Sequence, residues 1–272
     1  MRPMLLATTA PALGGQALAA DLPIKMPVKA PIASHFSWTG CYVGGHVGVG
    51  WGRSDISEPL DPSFQDFAPA NTPIGVNTGA GFLGGAQVGC DYQIDPSWVV
   101  GAAADFSWAN IDGQVTDPIF SGKNGGPILL ETKTNSLATA TARIGYAWDR
   151  WMLYGKGGAA WAHDTDNIQN LVFWGNPNKA FCVIGTIVAC NPSGSETRIG
   201  WTLGFGFEWA FAHDWSAGLE FDHYDFGTHS VTLTDLNGVP SGTALSGPVN
   251  VTQRIETVKL SLNYRFGAPG SH

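Results

Sequence analysis

Charge is scarce in this sequence. Asp, Glu, Lys and Arg make up 13% of 272 residues, about half the usual share for a soluble domain. What charge there is sums to −8, which excludes the basic surface that a nucleic-acid partner demands. Long apolar runs are missing too. Beyond the N-terminus no stretch of 18 apolar residues occurs, and this excludes a membrane-spanning helix. Cysteine is sparse: Cys41, Cys90, Cys182 and Cys190 form no C-x-x-C pair, so metal and thioredoxin-type readings fall away.

Glycine and aromatics are abundant instead. The 36 glycines are roughly twice the average usage, and 11 tryptophans contribute to an aromatic content of 11%. The first residues, "MRPMLLATTAPALGGQALAA", have a positive start at Arg2, a mostly apolar stretch and a small-x-small ending. They read as a signal peptide over 1–20. Residues 21–37 carry three prolines in "DLPIKMPVKAPIASHF" and read as an extended periplasmic linker. The barrel assignment below covers 38–267, with a short tail at 268–272.

The last strand sets the pattern. In "VKLSLNYRF", Val258, Leu260, Leu262, Tyr264 and Phe266 share one face of an extended chain, and Lys259, Ser261, Asn263 and Arg265 share the other. Eight such segments are expected near 38–52, 79–92, 97–108, 134–147, 151–163, 197–211, 215–227 and 252–266. Their connections alternate. Residues 94–97, 149–150 and 213–214 make tight turns. Residues 53–78, 109–133, 164–196 and 228–251 make long Gly-, Pro-, Asn- and Asp-rich loops. Short turns at one end and long loops at the other mark an outer-membrane barrel, and four such loops would be unusual in a soluble domain.

Tryptophan spacing says which face meets lipid. Trp98 and Trp108 are ten residues apart, as are Trp151 and Trp161. Even spacing puts each pair on one face. Ten residues at ~3.3 Å each, tilted by ~40°, rise roughly 25 Å, the height of the apolar band between two aromatic girdles. Trp148, Phe211, Trp215, Tyr264 and Phe266 extend the girdle at the short-turn end, and Trp51 and Trp201 extend the other.

The opposite parity places Asp91, Asp105, Glu208 and Glu220 inside the barrel with Arg143, Lys156, Lys259 and Arg265. Four acids meet four bases, and unpaired buried charges would cost several kcal/mol each. Eight strands leave an interior about wide enough for side chains to fill, so the eight charges read first as a structural plug. Gly85, Gly89, Gly101, Gly145, Gly204 and Gly206 share that face, and their small volume keeps a narrow water path open as the alternative.

"FSWTGCYVGGHVGVGWG" (36–52), "ARIGYAWDRWMLYGKGG" (142–158), "GWTLGFGFEWAF" (200–211), "WSAGLEFDHYDFG" (215–227) and "VKLSLNYRFG" (258–267) resemble the small outer-membrane β-barrel proteins of alphaproteobacteria. These include the major small outer-membrane proteins of Brucella and Rhizobium and the related Bartonella haem-binding proteins. The resemblance implies an all-β fold, an eight-stranded antiparallel transmembrane β-barrel with short periplasmic turns and four long extracellular loops. It implies the outer membrane of a Gram-negative bacterium, no enzymatic role and no cofactor. Its implied partners are outer-membrane lipid, lipopolysaccharide and the barrel-assembly machinery. In that wider class the machinery reads a terminal Phe with an aromatic two residues before it, which Phe266 and Tyr264 match. The sequence departs from the pattern by continuing with "GAPGSH".

Other chemistry is weaker. "GFGFEW" and "GGAQVG" open no helix, so neither is a phosphate loop. Asp222, His223 and Asp225 read as a wet barrel rim. The Bartonella relatives raise haem, for which His163 and His229, at the starts of two loops, would be the exposed ligands. Asp55, Glu58, Asp61 and Asp66 make the first loop acidic. Cys182 and Cys190 in "CVIGTIVAC" are the first candidate for a disulfide: Gly185 lets the chain reverse, and export reaches an oxidising compartment. Cys41 and Cys90, both on the lipid side near the short-turn end, are a second pair. The functional reading is an envelope and surface-interaction barrel without catalysis. Its alternatives are a narrow porin-like channel and a surface receptor for haem or for a host or phage partner.

Overall fold

The computed structural model describes residues 36–57, 74–116, 129–169, 193–235 and 245–267. The signal peptide, most of the linker, the tail and the Cys182–Cys190 segment lie outside the described residues. Eight strands follow one another: β1 (Gly40–Ser57), β2 (Ile74–Gln93), β3 (Trp98–Thr116), β4 (Leu129–Trp148), β5 (Trp151–Gln169), β6 (Ser193–Trp209), β7 (Trp215–Asp235) and β8 (Leu245–Phe266). Each pairs antiparallel with the next, and β1 pairs with β8 to close the barrel. Closure removes the two sheet edges, which hydrocarbon would not tolerate.

The tight turns have local causes. The Asp95 carboxylate accepts from the backbone N–H groups of Ser97 and Trp98, each at 2.8 Å, and stops the chain between β2 and β3. Between β4 and β5 only Asp149 and Arg150 intervene, and Asp149 takes φ 56°, which a short polar side chain tolerates better than most.

The strands outrun their sequence-read boundaries at the loop end. They are 17 to 22 residues long, whereas about 9–11 suffice to cross a bilayer. The extra length lies beyond the outer girdle, where the outward face meets water. There Arg53, Asp112 and Arg254 point outward, so the alternation of apolar and polar residues fades although the ladder continues. Five irregularities interrupt the register, between Gly50 and Gly52, Trp108 and Ile111, Thr134 and Ser136, Ser193 and Trp201, and Asp225 and Thr228. They cluster where the lipid belt ends.

The outward face carries the apolar belt. Trp98, Tyr146, Trp148, Trp151, Trp209, Phe211, Trp215, Tyr264 and Phe266 are exposed at the short-turn end, and Trp51, Phe82, Trp108 and Trp201 at the other. Between them Val47, Ile144, Leu153, Phe205, Leu219 and Leu260 are also exposed. The buried side chains point inward.

Candidate functional site

The barrel interior is built in storeys, and β5 can be climbed to read them. Met152, Tyr154, Lys156, Ala160, Ala162, Asp164 and Asp166 point inward and are buried, and Gly158 on the same face is exposed.

The lowest storey is an aromatic stopper. Trp38 precedes β1 and is fully buried. Its backbone N–H donates to Gln93 Oε1 at 2.9 Å, and its indole Nε1 donates to the Asp149 carbonyl at 3.1 Å. The Arg265 guanidinium lies 4.5 Å from the ring centroid, and Phe36 packs edge-on at 5.0 Å. Val99, Ala147, Met152, Tyr154 and Ala210 complete this cluster. The periplasmic mouth is therefore closed by the chain's own entry segment.

Above it, four charges alternate around the barrel, one from each even-numbered strand. Arg143 of β4 grips Asp91 of β2 through two nitrogens, one bond being Nε to Oδ1 at 2.7 Å. Its Nη1 reaches Glu208 of β6 at 3.4 Å. Arg265 of β8 reaches Glu208 at 2.7 Å and Asp91 at 3.0 Å. Ser216 donates to Glu208 at 2.6 Å, and Asn263 donates to it at 3.1 Å. The Tyr42 ring lies 4.8 Å from the Arg143 guanidinium and 5.1 Å from that of Arg265.

The next storey joins β3, β5, β7 and β8. Lys156 lies 2.6 Å from Glu220, 3.2 Å from Asp222 and 3.9 Å from Asp105. Lys259 lies 2.7 Å from Asp222, 3.0 Å from Glu220 and 3.4 Å from Asp105. Tyr154 donates to Glu220 at 2.8 Å. His46 and Ser107 are hydrogen-bonded at 2.7 Å beside this group. Thus the structure places Asp91, Arg143, Glu208 and Arg265 in one ring and Asp105, Lys156, Glu220 and Lys259 in another.

Asp222 corrects the rim reading. It is fully buried and belongs to the second ring. It shares parity with Glu220, two residues earlier, which is why it points inward. His223 and Asp225 take the outward face, paired with Glu256 at 3.2 Å and Arg254 at 3.1 Å. A lid of Leu83, Ile111, Leu137, Ala160, Ala162, Tyr224, Phe226 and Ile255 covers the charged rings.

The inward glycines leave no gap at the positions that matter. A Cβ on Gly89 would come within 2.5 Å of the Tyr42 hydroxyl, and one on Gly206 within 2.4 Å of the Tyr154 ring. Each tyrosine lies flat on a bare stretch of backbone, so the volume the glycine vacates is filled by an aromatic neighbour.

Beyond the lid lies a polar storey that the sequence reading missed. Arg198 of β6 is fully buried. It reaches Asp166 at 2.5 Å, Glu196 at 2.8 Å and Asp164 at 3.6 Å, and it donates to Gln253 of β8 at 3.2 Å. Thr134 donates to Asp164 at 2.6 Å, and Thr132 donates to Asp166 at 2.9 Å. Arg198 lies in the read strand 197–211 with the parity of Glu208, whereas its acids at 164, 166 and 196 are reached only by continuing parity into a segment that reads as loop.

Burial pushes the carboxyls of Asp164 and Asp166 above the usual range, with Arg198 and the threonine hydroxyls opposing. Three acids here share one arginine, so the attraction does not offset desolvation. A pKa raised on folding adds stability that is complete below the unfolded value and lost as pH rises through the folded one. The β5 tip is therefore expected to open less at mildly acidic pH than at neutrality. Hydrogen exchange over 162–166, corrected for intrinsic rates, reads this directly. Asp164→Asn should flatten the dependence. Equal opening free energies at both pH values in the wild type would remove the argument.

The remaining candidates fall in different places. Cys41 and Cys90 are bonded to each other, directly opposite on β1 and β2. His163 lies on the outward face of β5, 3.2 Å from Thr197 of β6. His229 stands on β7 opposite Val251. Both histidines are within strands rather than at loop starts, and β6 separates their strands. Tyr264 and Phe266 are 42% and 50% exposed on the lipid face of the closing strand, within reach of any factor that approaches from the membrane. Asp55 lies in β1, while Glu58, Asp61 and Asp66 are outside the described residues.

Comparison with known proteins adds to this picture. A family model described as "Outer membrane protein beta-barrel domain" matches residues 9–266. The 31 kDa outer-membrane immunogenic protein of Brucella melitensis is 31% identical over 272 residues, covering 98% of this chain and 100% of that protein. The 25 kDa outer-membrane immunogenic protein of Brucella abortus is 22% identical over 266 residues, covering 96% of this chain and 94% of that one. Among solved structures, the outer membrane protease OmpT from Escherichia coli is similar with a TM-score of 0.52 at 9% identity, over 86% of this chain and 99% of its own. At that identity the likeness concerns the fold alone.

Proposed function

Because this chain belongs to the outer membrane protein beta-barrel domain family and resides in a Gram-negative outer membrane, we propose that it is a sealed barrel that anchors long surface segments and contributes to envelope integrity. On this reading it catalyses nothing and carries no cofactor. Its partners are outer-membrane lipid, lipopolysaccharide and the barrel-assembly machinery, which reads Tyr264 and Phe266. Surface ligands bind through the segments that connect the strands at the outer end.

One observation carries the proposal: paired charges or apolar side chains occupy each storey of the lumen. A stopper at Trp38, two rings of paired charge and an apolar lid succeed one another along the axis. A water path would have to break all of them. The paired charges have little left to offer a passing ion or a substrate, since Arg143, Lys156, Glu208, Lys259 and Arg265 are each at most 7% exposed.

Planar-bilayer recording of the refolded full chain tests this. The expected result is a quiet membrane, with insertion verified by the compact mobility of the unboiled protein. Reproducible ohmic steps from correctly inserted protein would decide for the narrow porin-like channel instead.

A further inference from the structure

Basic side chains are few. Among the described residues, Arg143, Lys156, Arg198, Lys259 and Arg265 are buried in the lumen. Two of the others form an arrangement that packing does not require. Arg53 of β1 and Arg254 of β8 stand directly opposite each other in register. Both face outward, with side chains 61% and 58% exposed. Like charges placed opposite on neighbouring strands destabilise a sheet.

The position is informative. Arg53 follows Trp51 by two residues on the same face, roughly 7 Å further along the strand. Trp51 belongs to the outer aromatic girdle, so Arg53 stands at the headgroup layer. One cross-strand row runs Trp201, Asp225, Arg254, Arg53, Asn77 from β6 to β2. It brings two guanidinium groups and an amide together on one outward surface, with an indole at its edge.

Both arginines are held in place. The Arg53 Nε donates to Asp55 at 2.9 Å, and its guanidinium lies over Gly75 of β2, where a Cβ would come within 2.8 Å of Nη2. The Arg254 Nε donates to Asp225 at 3.1 Å. Each carboxylate takes the Nε edge and fixes the plane of the guanidinium. A planar fork aimed at a neighbouring anion favours phosphate.

We infer that the Arg53–Arg254 pair is a binding site for the phosphate of a lipid headgroup in the outer leaflet. Bound phosphate turns the mutual repulsion of the pair into shared attraction. Asp55 and Asp225 offset part of the charge when no anion is bound, so binding is modest and weakens with salt. The inference rests on the outer-membrane reading above and gives its lipid partner a contact point. It does not depend on whether the lumen conducts, and a conducting barrel with this site intact would overturn the sealed reading alone.

The refolded full chain in zwitterionic detergent is titrated with bisphosphorylated lipid A in mixed micelles, with dephosphorylated lipid A, and with inorganic phosphate. The phosphorylated lipid is expected to bind best. Arg53→Gln with Arg254→Gln should weaken it about thirtyfold, two headgroup contacts being lost. Arg53→Lys with Arg254→Lys keeps the charges but loses the planar forks, and its affinity should fall between wild type and the double Gln variant; an affinity no better than the double Gln variant's overturns the role of charge. Arg150→Gln, at a periplasmic turn, should change nothing. Compact unboiled mobility verifies that each variant is folded. Equal binding of dephosphorylated lipid, or an unaltered double Gln variant, overturns the site. Competition by inorganic phosphate at the lipid's own concentrations overturns the lipid assignment in favour of a soluble ion.

Discussion

Glu208→Leu is expected to cost about 3–5 kcal/mol of stability, because it leaves two buried arginines short of a partner. Glu208 is 1% exposed and receives Arg265, Arg143, Ser216 and Asn263. Removing its charge leaves Asp91 to face Arg143 and Arg265 alone. The ring then holds an excess positive charge in a space that water does not reach. Leucine fills much of the vacated volume, so the loss reports charge rather than a cavity. Adding Arg143→Met to Glu208→Leu restores neutrality, since Asp91 and Arg265 remain paired at 3.0 Å. The double variant should therefore be more stable than the sum of the two single changes implies, by a coupling of a few kcal/mol at most. Urea unfolding in detergent, followed by tryptophan fluorescence, gives all four corners of the cycle. A single variant within about 0.5 kcal/mol of wild type, the range of ordinary surface changes, would mean that the ring does not hold the barrel together.

This ring also marks how far the sequence could be read. Its four members follow from parity alone, since each strand alternates strictly through the lipid belt and the outward aromatics say which parity is which. The same reasoning brings in Lys156, Glu220, Lys259 and Asp105. It stops where the environment of the outer face changes. Past Trp51, Trp108 and Trp161 the outward residues Arg53, Asn110 and His163 are polar because they meet water, so β1 reads as loop from Arg53 onward and β5 from Asp164 onward. The bulge between Thr134 and Ser136 then shifts parity, so that Thr132, Thr134 and Leu137 all point inward. A strict period of two cannot carry Thr134 and Leu137 to one face. Arg198 lies within the read strand 197–211, but its partners Asp164, Asp166 and Glu196 fall in 164–196, which reads as loop, so the cluster could not be assembled.

Register is the second thing that alternation does not contain. Which residue stands opposite which is set by bulges and turns along the whole ladder. The Cys41–Cys90 bridge and the Arg53–Arg254 pair are both statements about register. The sequence offers Cys41 and Cys90 only as a second candidate pair, without register, and does not bring Arg53 and Arg254 together. Trp38 is a third case. It lies two residues before the sheet begins to pair at Gly40, and only the closed barrel shows that the mouth beneath Arg265 is the space it fills.

The lipid belt itself is tested by a charge placed at its middle. Phe205 faces outward on β6, 61% exposed, and lies four residues from both Trp201 and Trp209. It is the midpoint between the two girdles on that strand. Phe205→Arg should cost about 2–4 kcal/mol for a barrel in a bilayer, because the guanidinium must cross the deepest hydrocarbon to reach water. Ile199 faces the same way, 61% exposed and opposite Trp161 at the outer girdle. Ile199→Arg should cost about 0–1 kcal/mol, the charge having only a short way to the headgroups. Phe205 also meets Phe221, with ring centroids 5.5 Å apart, so Phe205→Leu is the reference that removes the aromatic contact without adding charge. The order of losses in lipid vesicles should be Phe205→Arg greatest, then Phe205→Leu, with Ile199→Arg of similar size to the leucine variant or smaller. In a water-bathed sheet both arginines would sit on solvent and the two positions would cost alike. Equal losses for Phe205→Arg and Ile199→Arg in vesicles would therefore place the belt somewhere other than between these tryptophans.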